Sequence, residues 1–224
     1  MSEVTPAKAS GEKLGIGDVV SSPCPACERM GSRVIYAVDG IPVHSCILMS
    51  SREEAMSYPR GDLRLAACPS CGFVFNAVFD PTVHEYSAKY EETQGFSPTF
   101  NAFAKDLARR AVERYGVRDK TVLEIGCGKG EFLVLMCEIG SNRGIGLDPG
   151  YDPARTESEA ADRIEFIRDF YGPKYSHLQA DFIVCRHTLE HIAPVATFMR
   201  DLRDTIGDRD STLFFELPDV LRVL

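Results

Sequence analysis

The stretch from residue 122 to residue 133 constrains the fold of this chain more than any other. It begins with an apolar run, residues 122–125, that predicts a buried strand. Glycines follow at alternate positions, Gly126, Gly128 and Gly130, and Glu131 then opens a segment with the apolar periodicity of a helix. A strand that passes through a glycine-rich turn into a helix is typical of a nucleotide-binding turn, because glycine allows the sharp reversal and leaves no Cβ in the way of a ligand.

The spacing of these glycines separates this turn from the dinucleotide fingerprint. That fingerprint requires a third glycine at the position of Glu131. Here the acidic Glu124 stands two residues before Gly126, and the pattern Glu-x-Gly-x-Gly-x-Gly resembles the first motif of class I S-adenosylmethionine (SAM) methyltransferases. The resemblance implies a loop that accepts an ammonium, a sulfonium and a ribose, which suits an acidic residue at the strand end. Another nucleotide, or an ordinary tight turn without a ligand, remains an alternative.

Strands and helices alternate after this turn, which favours a parallel sheet with crossover helices. The predicted strands cover residues 121–125, 144–147, 164–167, 182–185 and 213–216, and the predicted helices cover residues 131–139 and about 195–206. A further helix is predicted from Ser97 and Pro98, a capping residue followed by a proline in the first turn, to about Tyr115 and Gly116. The predicted fold is a Rossmann-like α/β domain of the class I methyltransferase type.

Ligands of such sheets bind at the carboxyl ends of the strands, so the polar residues there are the candidates. Asp148 follows the second strand, where a carboxylate can accept both ribose hydroxyls. Asp169 follows the third strand, where it can accept from the adenine amino group with Phe170 beside the ring. Each acid alone is more typical of a cap or a solvated loop. The predicted cofactor-binding residues are Glu124, Gly126, Cys127, Gly128, Gly130, Asp148, Pro149, Asp169, Phe170, Arg186 and His187.

The stretch from His187 to His191 matches His-x-x-Glu-His, a pattern of zinc peptidases. That chemistry requires both histidines on one helix face, but His187 directly follows a predicted buried strand. The segment Leu-Glu-His-Ile at residues 189–192 resembles instead the segment that follows the fourth strand in SAM methyltransferases. This resemblance favours a structural role for Glu190 and His191, with His187 directed toward cofactor or substrate.

Two Cys-x-x-Cys pairs precede the predicted sheet, and their cysteines are Cys24, Cys27, Cys68 and Cys71. Two such pairs in one short module match a tetrahedral structural zinc site with four thiolates. A redox pair is the alternative, although a thioredoxin-like site needs only one. We expect Cys46, which lies between the pairs, to be a spare buried thiol, and we expect His44 not to be a ligand.

The 40 residues between the two pairs exceed the usual zinc-finger interval, so they predict a folded insertion. Residues 34–38 and 41–43 read as strands joined by a turn at Asp39 and Gly40. Residues 64–66 and 73–75 flank the second pair as a β-ribbon.

Composition excludes several other classes. The net charge of -8 disfavours nucleic acid as a partner, because phosphate binding needs clustered Lys and Arg. No apolar run reaches the length of a membrane span, and the first ten residues lack the apolar core of a signal peptide. We therefore expect a cytoplasmic protein, a small-molecule substrate, and no membrane partner. The pattern leaves the oligomeric state open.

Taken together, the cysteine pairs, residues 97–100, the glycine turn and Leu189-Glu190-His191 resemble the zinc-containing sugar C-methyltransferases of natural-product pathways. The resemblance covers about residues 22–224. The first 20 residues are polar and rich in small residues, which predicts a disordered tail (1–20). The resemblance implies a zinc-binding β module (21–82), a helical connector (83–118) and a SAM-binding domain (119–224). It further implies C-methylation beside the ketone of a nucleotide-linked keto-deoxysugar, with Tyr86, Tyr90 and His187 as candidate catalytic residues.

The resemblance also implies residues that this sequence does not contain. The family carries a Tyr-Glu-His segment after its fifth strand, which supplies the main base, and two further strands at the sheet edge. We therefore expect the SAM-binding sheet to be incomplete after residue 216, with an exposed apolar edge. An RNA methyltransferase with an N-terminal zinc module and a catalytically incomplete zinc- and SAM-binding fragment are the alternative functions.

Overall fold

The computed structural model describes residues 13–44, 47–80, 94–152, 158–219 and 222. These residues fall into two units. The first comes from within Met1–Glu91 together with Pro194–Ala196, and the second from within Glu92–Ala193 and Thr197–Leu224. The boundary near residue 91 lies inside the predicted connector, so the helix of that connector belongs to the second unit.

The first unit is built on a three-stranded antiparallel sheet in the order β1-β2-β3. Its elements are β1 (Arg33–Pro42), α1 (Arg52–Ser57), β2 (Arg60–Ala67) and β3 (Val74–Asn76). The predicted β-ribbon around the second cysteine pair is confirmed, since β2 and β3 pair with Ala66 opposite Phe75. The insertion between the cysteine pairs is therefore folded, as its length required.

The predicted turn at Asp39 and Gly40 is wrong, because β1 continues through both residues. Gly40 has a φ of +63°, and its N–H donates to Asp62 Oδ1 at 3.1 Å. The pairing of β1 with β2 is irregular between Val38 and Ile41. Because β2 accompanies β1 on both sides of the glycine, Gly40 produces a bulge and not a chain reversal.

The tail assignment does not hold for residues 13–20. The N–H of Gly17 donates to the Val34 carbonyl at 2.8 Å, and the N–H of Val20 donates to the Ser32 carbonyl at 2.8 Å. Val20 is buried with Val34 and Ala66 in a small core. Composition alone missed this packing because only a few apolar residues in the segment carry it.

The second unit contains a five-stranded, wholly parallel sheet in the order β6-β5-β4-β7-β8. Its elements are α2 (Pro98–Tyr115), β4 (Thr121–Ile125), α3 (Glu131–Gly140), β5 (Arg143–Leu147), β6 (Ile164–Ile167), β7 (Phe182–Arg186), α4 (Val195–Ile206) and β8 (Thr212–Glu216). All five predicted strands and all three predicted helices are present, so the α/β prediction is confirmed.

Each face of this sheet carries its own core. One face packs against α2 and α3 through Val122, Leu133 and Phe182. The other packs against α4 through Leu123, Ile183 and Leu202. Because neighbouring residues of β4 and β7 face opposite cores, the central strands are apolar along most of their length, as expected of a sheet covered on both sides. The exceptions near their carboxyl ends are Glu124 and Arg186.

The ends of α2 follow from local sequence. Ser97 Oγ accepts from the N–H of Phe100 at 3.3 Å, and Pro98 occupies the first turn, where its missing N–H costs nothing. Gly116 closes the helix with a φ of +63°, as glycine commonly does.

The expected exposed edge is present among the described residues, where β8 pairs only with β7. Leu213 on this strand is 38% exposed. The sheet thus presents β8 as its outer strand on this side.

Candidate functional site

The carboxyl ends of β4, β5 and β7 lie side by side because these strands are parallel and adjacent. The glycine turn follows β4, Asp148 follows β5, and Arg186 ends β7. The structure therefore brings together, at one edge, residues that are up to 60 positions apart in sequence, from Gly126 to Arg186. Asp169 follows β6 at the same edge.

All three glycines of the turn adopt backbone conformations that favour glycine, with φ of +71° at Gly126, +53° at Gly128 and +78° at Gly130. A Cβ on Gly126 would lie 2.1 Å from Thr188 Oγ1, and a Cβ on Gly130 would lie 2.5 Å from the Phe166 ring. The sequence assigned the space above these glycines to a ligand. At these two positions side chains of the protein already occupy it.

Thr188 was missed by sequence reasoning. Its hydroxyl donates to the Arg186 carbonyl at 2.9 Å and lies 3.4 Å from the Gly126 carbonyl oxygen. The side chain thus fastens the loop after β7 to the turn after β4. No sequence pattern marks this contact, because it depends on the side-by-side placement of two strand ends.

Asp148 holds the glycine turn through its carboxylate. Oδ2 accepts from the N–H of Gly128 at 2.9 Å, and Oδ1 accepts from the N–H of Gly150 at 2.7 Å. Each oxygen retains further lone pairs, so these bonds leave room for ligand hydroxyls. The neighbouring Pro149 carbonyl accepts from Arg168 at 3.3 Å. The thiol of Cys127 is buried, and burial raises its pKa well above the usual value, so it stays protonated.

Glu124 is buried at the end of β4, with 3% of its surface exposed. Burial raises the pKa of its carboxyl to about 8, against the opposing effects of Arg186 and of a hydrogen bond from the Leu133 backbone. Leu133 lies in the first turn of α3, whose first residue has no side-chain cap, so Glu124 serves that role from the neighbouring strand. Its second oxygen, Oε2, is buried without a hydrogen-bond partner among the described residues.

Arg186 ends β7, which is the neighbour of the strand β4 that carries Glu124. Its Nε donates to Glu216 Oε2 at 2.5 Å, and its guanidinium carbon stands 4.0 Å from the centroid of the Phe132 ring. One nitrogen, Nη2, is buried and has no hydrogen-bond partner in the part of the chain that is described. Sequence reasoning named Arg186 but missed Glu216 and Phe132, which orient it.

His187 directly follows β7 in a left-handed conformation, with a φ of +49°. Its N–H donates to the Glu216 carbonyl at 2.8 Å, and its Nε2 lies 3.5 Å from Glu216 Oε1. Half of its side chain is exposed. A non-glycine residue in this conformation is strained, and such strain concentrates at functional sites.

The zinc-peptidase pattern is not supported at this segment. His191 lies in a short 3-10 turn, Leu189–His191, whereas His187 lies outside it, so the two rings do not share a helix face. Among the described residues, the four cysteines Cys24, Cys27, Cys68 and Cys71 form the only group of three or more potential metal ligands.

Asp169 is engaged by residues of its own loop. Its Oδ2 accepts from the Tyr175 hydroxyl at 2.6 Å and pairs with Lys174, and Lys174 lowers the pKa of this carboxyl. Phe170 beside it is 60% exposed. Contact of either residue with an adenine ring stays a prediction. Tyr86 and Tyr90, the other catalytic candidates, lie outside the described residues, as does Cys46.

The four cysteine sulfurs lie within 4.8 Å of one another. The two pairs adopt matching turns: the N–H of Glu28 donates to the Cys24 carbonyl at 2.8 Å, and the N–H of Gly72 donates to the Cys68 carbonyl at 2.9 Å. Glu28 and Gly72 both have positive φ, 61° and 77°. Two identical turns facing each other bring four sulfurs around one point, which is the arrangement that a tetrahedral ion needs.

The cysteine pKa values show how the cluster resists carrying several negative charges. Burial acts to raise the pKa of Cys68, but backbone N–H groups of Cys71 and Ser70 outweigh it and lower the pKa to about 6. At Cys71 a hydrogen bond from the Phe73 backbone lowers the pKa, yet burial and the three neighbouring sulfurs raise it to about 12. A divalent cation would remove this mutual repulsion, since thiolates bound to metal are deprotonated outright. The donor set therefore fits zinc.

No helix formed by the described residues is long and apolar enough to cross a bilayer.

Residues 100–222 match the model of a protein family described as a methyltransferase domain. No curated protein sequence matches the chain.

Solved structures with a similar fold share little sequence with it. They include a putative SAM-dependent methyltransferase from Methanococcus maripaludis (19% identity, 53% of this chain and 57% of that chain, TM-score 0.41). A second is coclaurine N-methyltransferase bound to N-methylheliamine and SAH (18% identity, 49% of this chain and 34% of that chain, TM-score 0.39). A third is an RNA methyltransferase from Salinibacter ruber in complex with S-adenosylhomocysteine (18% identity, 37% of this chain and 57% of that chain, TM-score 0.29). The match spans between about one third and three fifths of the length of these proteins.

Proposed function

This chain belongs to the methyltransferase-domain family, and on that premise we propose that it transfers a methyl group from SAM to a small-molecule acceptor. The observation that carries the proposal is Glu124, a buried carboxyl at the glycine turn, one oxygen of which has no hydrogen-bond partner among the described residues. Uncompensated buried oxygens are rare in folded proteins, so a ligand with hydrogen-bond donors is the natural complement.

The residues at the strand ends suit the charge of this donor. SAM carries an ammonium, a sulfonium and a carboxylate, so its net charge is positive, and it supplies an electrophilic methyl group when bound. Asp148 is acidic and keeps lone pairs for the two ribose hydroxyls. Glu124 holds a proton while its site is empty, and an arriving ammonium would favour its ionised form. The glycine turn, the Pro149 backbone and Cys127 shape the wall beside them. Asp169 and Phe170 are proposed to meet the adenine.

For the acceptor we propose a nucleotide-linked keto-deoxysugar that is methylated at carbon beside its ketone. This rests on the resemblance of the paired cysteine turns and the methyltransferase sheet to the zinc-containing sugar C-methyltransferases. Such a reaction needs a base to remove a proton next to a carbonyl. We call the carboxyl edge of the second sheet, with Glu124, Asp148, Asp169, Arg186 and Glu216 at the strand ends, the donor edge, because the methyl donor is proposed to bind there. His187, strained and half exposed at the donor edge, is the candidate base among the described residues, and Tyr86 and Tyr90 complete the proposed set.

An RNA acceptor is the second candidate. The net charge of -8 opposes it, because RNA binding is driven largely by phosphate contacts with Lys and Arg.

The four-cysteine cluster is proposed to hold one structural Zn²⁺. The zinc would join the two cysteine turns, which the small core of the first unit does little to stabilise. Metal analysis of the purified chain should find about one zinc per chain; a content far below that would contradict the site.

Titration with S-adenosylhomocysteine tests the donor site. We expect wild-type binding, and we expect Asp148→Ala to weaken it at least about tenfold through the lost ribose contacts. Asp162→Ala is the matched control, because Asp162 is exposed before β6 at the opposite edge of the sheet. If the wild type does not bind S-adenosylhomocysteine, the donor site is contradicted, and a non-catalytic zinc-binding module is the function that is left.

Solvent exchange tests the acceptor. A deoxysugar with an enolisable position beside its ketone, linked to thymidine diphosphate, should exchange that hydrogen for deuterium only with enzyme present, and addition of SAM should give a methylated product by mass spectrometry. His187→Gln should abolish the exchange without loss of S-adenosylhomocysteine binding. Methylation of RNA and not of the sugar would instead support the second candidate.

A further inference from the structure

Three ionisable side chains line one face of the second sheet near its carboxyl edge. Glu124 lies on β4, Arg186 on β7 and Glu216 on β8, three strands that are neighbours in the sheet. Alternation along each strand places Glu124 with Val122, Arg186 with Val184 and Glu216 with Phe214, on the face covered by α2 and α3.

The guanidinium of Arg186 is held on two sides. Glu216 accepts from Nε, and the Phe132 ring stacks against the guanidinium plane at 4.0 Å. These contacts set the direction of the fork and leave Nη2 buried without a partner among the described residues. Arginine presents five donors, so the structure uses part of that capacity and leaves the rest available.

We propose that Arg186 binds the carboxylate of the amino-acid portion of the methyl donor, and that Glu216 is the positioning residue that aims the guanidinium. The inference rests on the proposed function, because it assigns a role at the same site. It explains why the fifth strand ends in a glutamate, which sequence reasoning left without a role.

The spacing of the row suits an α-amino acid. Glu124 pairs with Val184, so it lies one strand across from Arg186 and two residues before it, about 8 Å between Cα atoms at ordinary strand dimensions. Both side chains are long enough to reach toward each other, and an α-amino acid carries its ammonium and carboxylate on a single carbon. An acid on β4 and a base on β7 can therefore receive the two charges together. The guanidinium fork matches the two oxygens of a carboxylate by geometry.

Arg186 and Glu124 each keep one buried polar atom in reserve. Among the described residues, Nη2 of Arg186 and Oε2 of Glu124 are buried and make no hydrogen bond. A bond from a ligand to either atom would therefore displace no partner of that atom, and it would remove the cost of leaving a buried polar atom unpaired.

Ligand truncation separates binding from folding. S-adenosylhomocysteine and 5′-methylthioadenosine share the adenosine and the thioether, but only the first carries the amino-acid portion. We expect Arg186→Met to weaken S-adenosylhomocysteine about 30-fold or more, as expected for a lost charge-assisted pair, and methylthioadenosine less than about twofold. Glu216→Gln should show the same selectivity with a smaller loss. Arg143→Met, at the exposed start of β5, is the control and should change neither affinity.

A second ligand keeps the test independent of whether Arg186→Met folds. Decarboxylated S-adenosylhomocysteine lacks only the carboxylate, so wild-type protein should bind it about 30-fold more weakly than the intact ligand. With Arg186→Lys the two ligands should differ by much less, because a lysine lacks the fork.

The outcomes are distinct. Equal losses for S-adenosylhomocysteine and methylthioadenosine, or equal wild-type affinity for the intact and decarboxylated ligands, would overturn the role of Arg186 and leave the donor site standing. Failure of the wild type to bind any of the three ligands would overturn the proposed function and this inference with it.

Discussion

The cysteine cluster and the donor edge are assembled in different ways. The cluster comes from two short turns that repeat one hydrogen-bond pattern, and each turn is complete within six residues. The donor edge takes its residues from the ends of five strands, and no short segment contains it. The first unit buries a small core around Val34, whereas the second carries a core on each face of its sheet. From this difference we expect the first unit to depend on the cluster, with its proposed zinc, for stability and the second unit to depend on its packing.

Loss of the proposed zinc should have the largest effect on stability, and it should destabilise the first unit only. Structural zinc contributes on the order of 10 kcal/mol to the folding of small zinc modules, far more than the small core supplies. We expect Cys71→Ser, or chelation, to unfold residues 13–80 and to leave β4 and β7 protected in hydrogen exchange. Ser70→Ala is the matched control within the same turn. Loss of hydrogen-exchange protection in both units together would contradict the separate stabilisation of the two units.

A cavity in the core of the second unit should destabilise that unit and leave the cysteine cluster of the first unit intact. Leu133 is fully buried between α3 and the sheet, so Leu133→Ala should reduce the free energy of unfolding of that unit by about 3–5 kcal/mol. Urea unfolding followed by hydrogen exchange measures it, and zinc content should stay unchanged. Leu213→Ala on the exposed side of β8 should cost less than about 1 kcal/mol. A similar loss of free energy for Leu133→Ala and Leu213→Ala would show that core packing does not dominate the stability of this unit.

The glycine turn offers a sharper test of close packing at the donor edge. Gly126→Ala would both strain a positive φ and force Cβ against Thr188, whereas Gly116→Ala strains a similar φ with open space around it. We expect Gly116→Ala to cost about 1 kcal/mol and Gly126→Ala about 2–3 kcal/mol. Thr188→Ala added to Gly126→Ala should recover part of the difference. Equal costs for the two glycines would mean that Thr188 gives way freely.

The smallest expected effect, when it is counted per pH unit, is a pH dependence of stability that comes from the donor edge. Because the pKa of Glu124 is raised to about 8, the folded protein holds a proton that the unfolded chain releases near its ordinary pKa. Stability should therefore fall as pH rises between about 4.5 and 8, by at most about 1.4 kcal/mol per pH unit. The charged groups that face Glu124 are Arg186 from β7, Asp148 after β5 and Glu131 from α3.

Glu124→Gln isolates this contribution. The free energy of unfolding of the variant should change less between pH 6 and pH 7 than that of the wild type, and the difference between the two proteins should not exceed about 1.4 kcal/mol. A steeper fall in the variant than in the wild type would contradict the buried, protonated state of Glu124.

Much of the fold could be predicted from sequence because local patterns determine it. The apolar runs of the five strands, the Ser97 cap and the Gly116 stop all act within a few residues. The turn predicted at Asp39 and Gly40 failed because a glycine with positive φ suits a bulge as well as a reversal. Only the pairing of β1 with β2 chooses between them.

The sequence by itself determined the glycine turn, the strand ends that hold Asp148 and Arg186, and the pairing of cysteines into two turns. Each of these depends on residue types at short spacing. Tertiary structure alone decided that Thr188 and Phe166 fill the space above the glycines. It also decided that Glu124 caps α3 and keeps one oxygen without a partner among the described residues. The contact by which Glu216 orients Arg186 is a third such outcome. The physical reason is that these contacts join side chains from different strands, and which strands are neighbours is settled by the packing of the whole sheet.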